Sequence, residues 1–269
     1  MGIKRRLKDV DWVWEGQGFD QGVEPSIFGV GEGAIYFGLS RVCYMFHPNT
    51  EFAMKKLSNF EEVVCDISKW KFKEVEREGN VACGMKNSVD AKPETVKEEA
   101  GNISKLSLKF HNITGAIHDD MLGLCKRENY TPQQYGEIYK ALHNDNSELK
   151  LWVVVYTHEL DPAKWEGFLP YIDVVNLWVW EARNLTNLDE DIQKCRKIFS
   201  NKPIILGCYL RDYPTVAPVP MDLLRCQWER IPRYLDEKLI AGYSILGAVL
   251  IDGQQEQAEW VRDFIAKHD

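Results

Sequence analysis

The chain has 269 residues, enough for one large domain with a well-buried core, and an α/β barrel of this length usually forms a single unit. Lys and Arg total 33 against 41 Asp and Glu, a net charge of −8, so a phosphate backbone meets repulsion over most of the surface and nucleic acid is not an expected partner. No run of 18 uncharged apolar residues occurs, so no membrane partner is expected and the chain as given reads as soluble and cytoplasmic, although a removed secretion signal would leave no trace.

Residues 1 to about 40 look irregular. Trp12-Val13-Trp14 is followed by closely spaced glycines, and the segment reads as an extension packed across the domain, its tryptophans anchoring a loop. The runs GVGEG and GEGAIYFG lack the spacing and the strand-to-helix flanks of a phosphate loop. From Arg41 onward short apolar strands alternate with amphipathic helices. The predicted strands are Val42–Phe46, Glu62–Ile67, Val81–Met85, Ile113–Asp120, Leu151–His158, Val174–Trp180, Ile204–Leu210 and Ile245–Ile251. Predicted helices include Lys92 to about Phe110, with Pro93 in its first turn, Pro132–His143 started by Thr131, and Met221–Leu239. Strand and helix repeated eight times is the pattern of a (β/α)8 TIM barrel, here read as one domain with residues 1–40 as an N-terminal extension. The seven cysteines are odd in number and form no CxxC pair. Cys43, Cys65, Cys83 and Cys208 fall inside apolar runs and read as small core residues carrying free thiols.

In such a barrel chemistry sits at the C-terminal strand ends, and here those ends change character. Strand one runs into His47, strand three into Lys86 and Asn87, strand four into Asp119-Asp120, and strand five into Tyr156, His158 and Glu159. Strand six closes with Trp178, Trp180 and Glu181, strand seven with Tyr209, Arg211 and Asp212. Alternation turns Asn176, Trp178, Trp180, Tyr156, His158, Tyr209 and Arg211 into the barrel; on strand four it turns His118 and Asp120 inward with Asp119 at the rim. Adjacent carboxylates repel, so a fold that gathers them tends to raise one pKa and leave the other ionised, the split that general acid chemistry needs. Taken alone, Asp-Asp before a helix is more simply a helix cap. An aromatic floor with a polar rim, by contrast, is what the apolar face of a sugar ring stacks on.

With Asp119-Asp120 at the end of strand four, the layout of residues 41 to 269 resembles the TIM-barrel glycoside hydrolases. The resemblance implies a carbohydrate substrate, Asp120 as proton donor, and Asp119 as the group that orients and polarises an acetamido group or an attacking water. The chitinase-type DxxDxDxE spacing is absent. Asp212, ahead of Glu181, is the candidate for a second carboxylate opposite Asp120, with an Arg211-Asp212 ion pair as its simpler account. Tyr156, His158, Trp178, Trp180, Tyr209 and His47 would bind substrate. No cofactor or metal is expected, and oligomeric state is not legible. Two alternatives stand beside this reading. One is a metal-dependent sugar isomerase or hydrolase drawing on His47, Asp66, His118, Asp120, His158 and Glu159; the other is a catalytically inactive, glycan-binding barrel.

Overall fold

The computed structural model describes residues 6–16, 22–68, 74–86, 89–200 and 202–268, with the backbone alone for 74–77 and 82–86. The side chains of Cys83 and Lys86, and all of Asn87, therefore lie outside the described residues. Eight parallel strands close into one barrel. They are β1 (Asp11–Trp14), β2 (Arg41–Tyr44), β3 (Glu62–Asp66), β4 (Ile113–His118), β5 (Lys150–Tyr156), β6 (Val174–Trp178), β7 (Ile204–Tyr209) and β8 (Gly242–Leu246). Each pairs with the next, and β8 returns to β1 with Leu246 opposite Trp14. The fold is a (β/α)8 TIM barrel. Among the described residues no helix is long and apolar enough to cross a membrane.

Two of the strand assignments read from sequence are corrected. The segment 1–40 is not a plain extension, because Asp11–Trp14 is the first barrel strand and Val30–Phe37 is the helix that follows it. Val81–Met85 is not a barrel strand; Val81–Lys86 forms an antiparallel hairpin with Glu74–Glu78. A parallel barrel strand is buried on both faces. Asp11–Trp14 meets that requirement with all four residues buried, whereas Val81 is 68% exposed and its partner strand reads Glu-Val-Glu-Arg-Glu. The two errors offset each other, so Ile113–His118 is still the fourth strand. The eighth strand also stops early, at Leu246, and the predicted helix Met221–Leu239 is two helices, Met221–Trp228 and Ile231–Asp236. Pro232 in the first turn of the second explains the break, since proline cannot donate to the preceding turn. The expected starts at Thr131 and Pro93 are found: Thr131 and Gln134 exchange a capping box, and Pro93 opens its helix.

The barrel interior is packed by indoles. Trp12 meets Trp152 edge to face at 4.8 Å between centroids, and one layer nearer the C-terminal end Trp14 meets Trp178 at 5.2 Å. Such large rings fit only where the facing strand gives way. A Cβ added to Gly207 would stand 2.1 Å from the Trp178 ring, and one at Gly115 would stand 2.4 Å from the carbonyl oxygen of Lys150 and 3.3 Å from Trp152 Nε1. Between these layers Asn176 donates to Ser244 Oγ and to the Ile205 carbonyl, both at 3.0 Å.

At the opposite end of the barrel Asp11 is fully buried, 3.4 Å from Arg41, whose guanidinium also pairs with Glu61 and Glu62. Burial pushes the Asp11 carboxyl up to about 7, and Arg41 and the Ser40 N–H offset part of the effect. A carboxyl with a raised folded pKa favours folding in its protonated form. Its contribution is therefore complete below about pH 4 and is lost as pH rises towards about 7. We expect the stability of the wild type to fall by a few kcal/mol relative to Asp11→Asn across this window, as an order of magnitude. Parallel denaturant titrations of the two proteins measure it, and curves that stay parallel from pH 4 to 7 would contradict the assignment.

Candidate active site

The C-terminal mouth of the barrel is organised by the chain reversal after β4. Asp120 adopts a left-handed backbone conformation (φ 45°, ψ 37°), uncommon for a residue with a side chain. Although it stands at the N-cap of the helix Met121–Arg127, its carboxylate makes no cap hydrogen bond. Instead Oδ1 accepts a 2.6 Å hydrogen bond from the Tyr156 hydroxyl at the end of β5. Helix capping therefore does not account for this carboxylate.

Asp119 is buried beside it, and its Oδ1 accepts the backbone N–H of Asp120 at 2.8 Å. Its own N–H donates to Ser68 Oγ at 3.0 Å, and that hydroxyl donates to Asp66 Oδ1 at 2.7 Å. Asp66 also accepts the backbone N–H groups of Ser68 and Phe46. A relay of hydrogen bonds from the end of β3 thus fixes the backbone on which the carboxylate pair stands, as buried polar groups must be satisfied to persist.

A cavity of about 220 Å³ opens above this pair. Six residues expected at the site line it together: Asp119, Asp120, Tyr156, Trp178, Trp180 and Tyr209. Trp178 and Tyr209 lie against each other at 4.5 Å between centroids and form the floor. Trp180 stacks on Tyr213 at 5.0 Å and turns its edge to Tyr156 at 5.6 Å. Burial pushes the Tyr156 and Tyr209 phenols well above their ordinary range. The neighbouring phenol and the two aspartates add to this at Tyr156; at Tyr209, Tyr213 and the same aspartates do so, partly offset by contact with Tyr156. Both hydroxyls therefore stay protonated and can donate at any physiological pH. Trp14 and Trp178 carry buried indole N–H groups with no hydrogen-bond partner among the described residues.

Four lining residues are not among the site residues expected from the sequence: Trp14, Phe46, Tyr213 and Leu246. The alternation in Trp12-Val13-Trp14 was the available signal for the first, had the segment been read as a strand.

Three expected site residues lie outside the cavity lining. His158 sits in an adjoining groove, its ring stacked on Tyr156 at 5.4 Å and 7°. His47 pairs with Glu15 at 3.1 Å and stacks on Tyr44, and Glu15 raises its pKa. Asp212 belongs to a short hairpin beyond β7, Arg211–Asp212 against Ala217–Pro218. Its Oδ1 accepts the Ala182 N–H at 2.8 Å and its Oδ2 accepts the Thr215 hydroxyl at 2.5 Å, so both oxygens brace loops. Glu181 pairs with Arg183, and Glu159 accepts the Tyr156 N–H, its pKa raised by burial. The direction of His118 is also corrected: its ring lies in the helix layer, stacked on Tyr135 at 5.7 Å. The donors of the metal-dependent alternative are accordingly dispersed, and among the described residues no three His, Cys, Asp or Glu gather to hold a metal.

Fold and site together define a TIM barrel whose C-terminal mouth joins an acidic pair to a floor of aromatic rings. Several solved barrels resemble it. A β-D-glucuronidase from Dictyoglomus thermophilum aligns with 12% identity and a TM-score of 0.55 over 87% of this chain and 46% of its own, so the chain spans under half that enzyme's length. An Anoxybacillus α-amylase aligns with 11% identity and a TM-score of 0.53 over 98% of this chain and 79% of its own. A xylanase-α-amylase inhibitor protein in complex with trehalose aligns with 13% identity and a TM-score of 0.55 over 96% of this chain and 98% of its own. A putative deoxyribose-phosphate aldolase from Toxoplasma gondii ME49 also aligns, at a TM-score of 0.48. At these identities the likeness is one of fold. No family model matches the chain, and no curated protein matches it by sequence.

Gly207 is the point where backbone geometry sets the floor of this cavity. Gly207→Ala would drive Trp178 upward into the cavity or force β7 outward, an overpacking that costs about 1–3 kcal/mol. Calorimetry should show a clear drop in melting temperature together with altered near-ultraviolet circular dichroism. An unchanged melting temperature would mean that Trp178 does not occupy the position described.

Proposed function

We propose that the protein is a carbohydrate-active hydrolase that cleaves an O-glycosyl bond at the mouth of the barrel. The single observation that supports this most is the confluence of Asp119, Asp120 and a floor of aromatic rings in one small cavity, with Asp120 oriented by the Tyr156 hydroxyl at 2.6 Å. Cleavage of a glycosidic bond requires a proton for the departing oxygen and negative charge near the oxocarbenium-like transition state. Two neighbouring carboxyl groups suit this, because like charges held side by side disfavour ionising both at once. In this reading Asp120 delivers the proton, and Tyr156 holds its carboxyl group in one orientation. Asp119, held by the backbone of Asp120, orients and polarises an acetamido group or a water molecule. Trp180, partly exposed, offers flat apolar surface to the sugar ring, Trp178 is buried beneath it and supports the floor, and Tyr209 offers a protonated hydroxyl to its rim.

A second reading, a barrel that binds glycans without turnover, is favoured by one specific observation. With Asp212 engaged in bracing loops, the described lining of the cavity contains no carboxylate beyond the adjacent pair. The two readings separate in one experiment, a screen of chromogenic glycosides with the wild type and Asp120→Asn. Hydrolysis requires that Asp120→Asn fold normally and turn over at least about a hundredfold more slowly, the usual scale for a lost general acid. Equal rates in the two proteins would contradict the role of Asp120, and glycan binding with no turnover in the wild type would establish the second reading.

A further inference from the structure

The cavity at the mouth is small, about 220 Å³, below the size of most ligand pockets. Beside it runs a groove of about 680 Å³, and the two share a wall made of Asp120, Tyr156 and Trp180. The groove continues outward between the helix Met121–Arg127, the one-turn helix Thr157–Glu159 that follows β5, and the segment after β6 that carries Asn184. Trp180 forms the ridge between cavity and groove. It is 36% exposed, and the stacking partner Tyr213 holds its ring in place. A ring fixed in this way at a concave edge offers a ligand contact area at little entropic cost.

The chemistry of the groove narrows what it can accept. Its lining carries the carboxyl groups of Asp120, Glu159 and Glu181, alongside His158 and one guanidinium, that of Arg127. Glu181 is itself paired with Arg183, so the like charge an anionic chain meets there comes from Glu159 and the aspartate pair, with Arg127 already engaged by Glu128 and the Val89 carbonyl, a repulsive element of the kind that sets specificity. Asn184 and Thr157 instead present neutral donors and acceptors, and His158 an imidazole ring, suited to hydroxyl groups. Resting on the carbohydrate reading, we infer that the substrate is a neutral glycan of at least two rings. One ring occupies the cavity over Trp178, the chain passes the Trp180 ridge, and the next ring lies in the groove, so that the bond between them faces Asp120.

Gly123 makes the inference testable. It lines the groove from the helix Met121–Arg127, and a Cβ added there meets nothing within 4 Å. Gly123→Trp therefore starts from an open Cβ position and projects a large ring into the groove, and Gly123→Ala adds a methyl group in a helix that accepts it readily. The experiment titrates neutral oligosaccharide series of one to six rings, and uronate oligomers of equal length, into wild type, Gly123→Ala and Gly123→Trp by calorimetry. Circular dichroism confirms the fold of each variant. We expect affinity to rise about tenfold or more between one ring and two, a gain of about 1.4 kcal/mol, in wild type and Gly123→Ala. Gly123→Trp should lose that gain while single rings bind it as they bind wild type, and uronate oligomers should bind at least about tenfold more weakly than neutral ones. Affinity that does not rise with length, a gain that survives Gly123→Trp, or preference for uronates would overturn the groove assignment while the cavity reading stands. Failure of every glycan to bind, single rings included, would overturn both.

Discussion

The hydrogen bond from Tyr156 to Asp120, together with the left-handed turn that makes it possible, is the constraint on which the site depends. A carboxylate immediately before a helix ordinarily folds back onto the free N–H groups of the first turn, where both hydrogen bonding and the helix dipole favour it. Here the positive φ at Asp120 points the side chain towards β5, and the phenol of Tyr156 receives it at 2.6 Å. The cost of that backbone conformation is of order 1–3 kcal/mol and must be offset by its surroundings. The relay from Asp66 through Ser68 to the Asp119 N–H is part of that support. The Asp120 N–H holds the Asp119 carboxylate and the Tyr156 hydroxyl holds that of Asp120, so each member of the pair has its own anchor.

The aromatic floor follows from a different constraint, the volume of the barrel. Eight strands leave an interior that side chains must fill, and this chain fills its upper layers with Trp14, Trp178 and Tyr209. Such rings demand a missing side chain opposite, which Gly207 supplies. The same rings that close the core from below form the base of the cavity above. Core packing and site construction are therefore one arrangement here, and a substitution that loosens the first also reshapes the second.

Much of this was legible in the sequence, and the failures have identifiable causes. On the sixth strand, alternation placed Asn176 and Trp178 inside, because Val175 and Leu177 mark the helix-facing side without ambiguity. On the fourth strand the same logic inverted the outcome: Ile113, Ala116 and Ile117 are all buried, so apolar character carried no parity signal. Gly115 faces the interior, which sends His118 to the helix layer and turns Asp119, rather than His118, towards the mouth. Strand β1 was overlooked since four residues preceding a glycine-rich stretch offer too short a pattern, and the hairpin at Val81–Lys86 took its place in the count. Asp212 was assigned to the site because a carboxylate follows β7. A two-residue hairpin carries it past the strand end and into contact with the Ala182 N–H, a tertiary pairing that no local pattern announces.

A sugar ring bound in the cavity lies against Trp180 and above the buried Trp178, beside the paired aspartates. The most direct measurement is the indole N–H spectrum of the protein during titration with a glycan that binds. Trp165 and Trp228, buried in the helix layer against Phe199 and Tyr243, serve as internal controls. Saturable shifts at Trp180 and at Trp178 beneath it, with Trp165 and Trp228 unmoved, are expected; shifts confined to Trp165 or Trp228, or a bound glycan that leaves Trp178 and Trp180 unchanged, would rule this placement out.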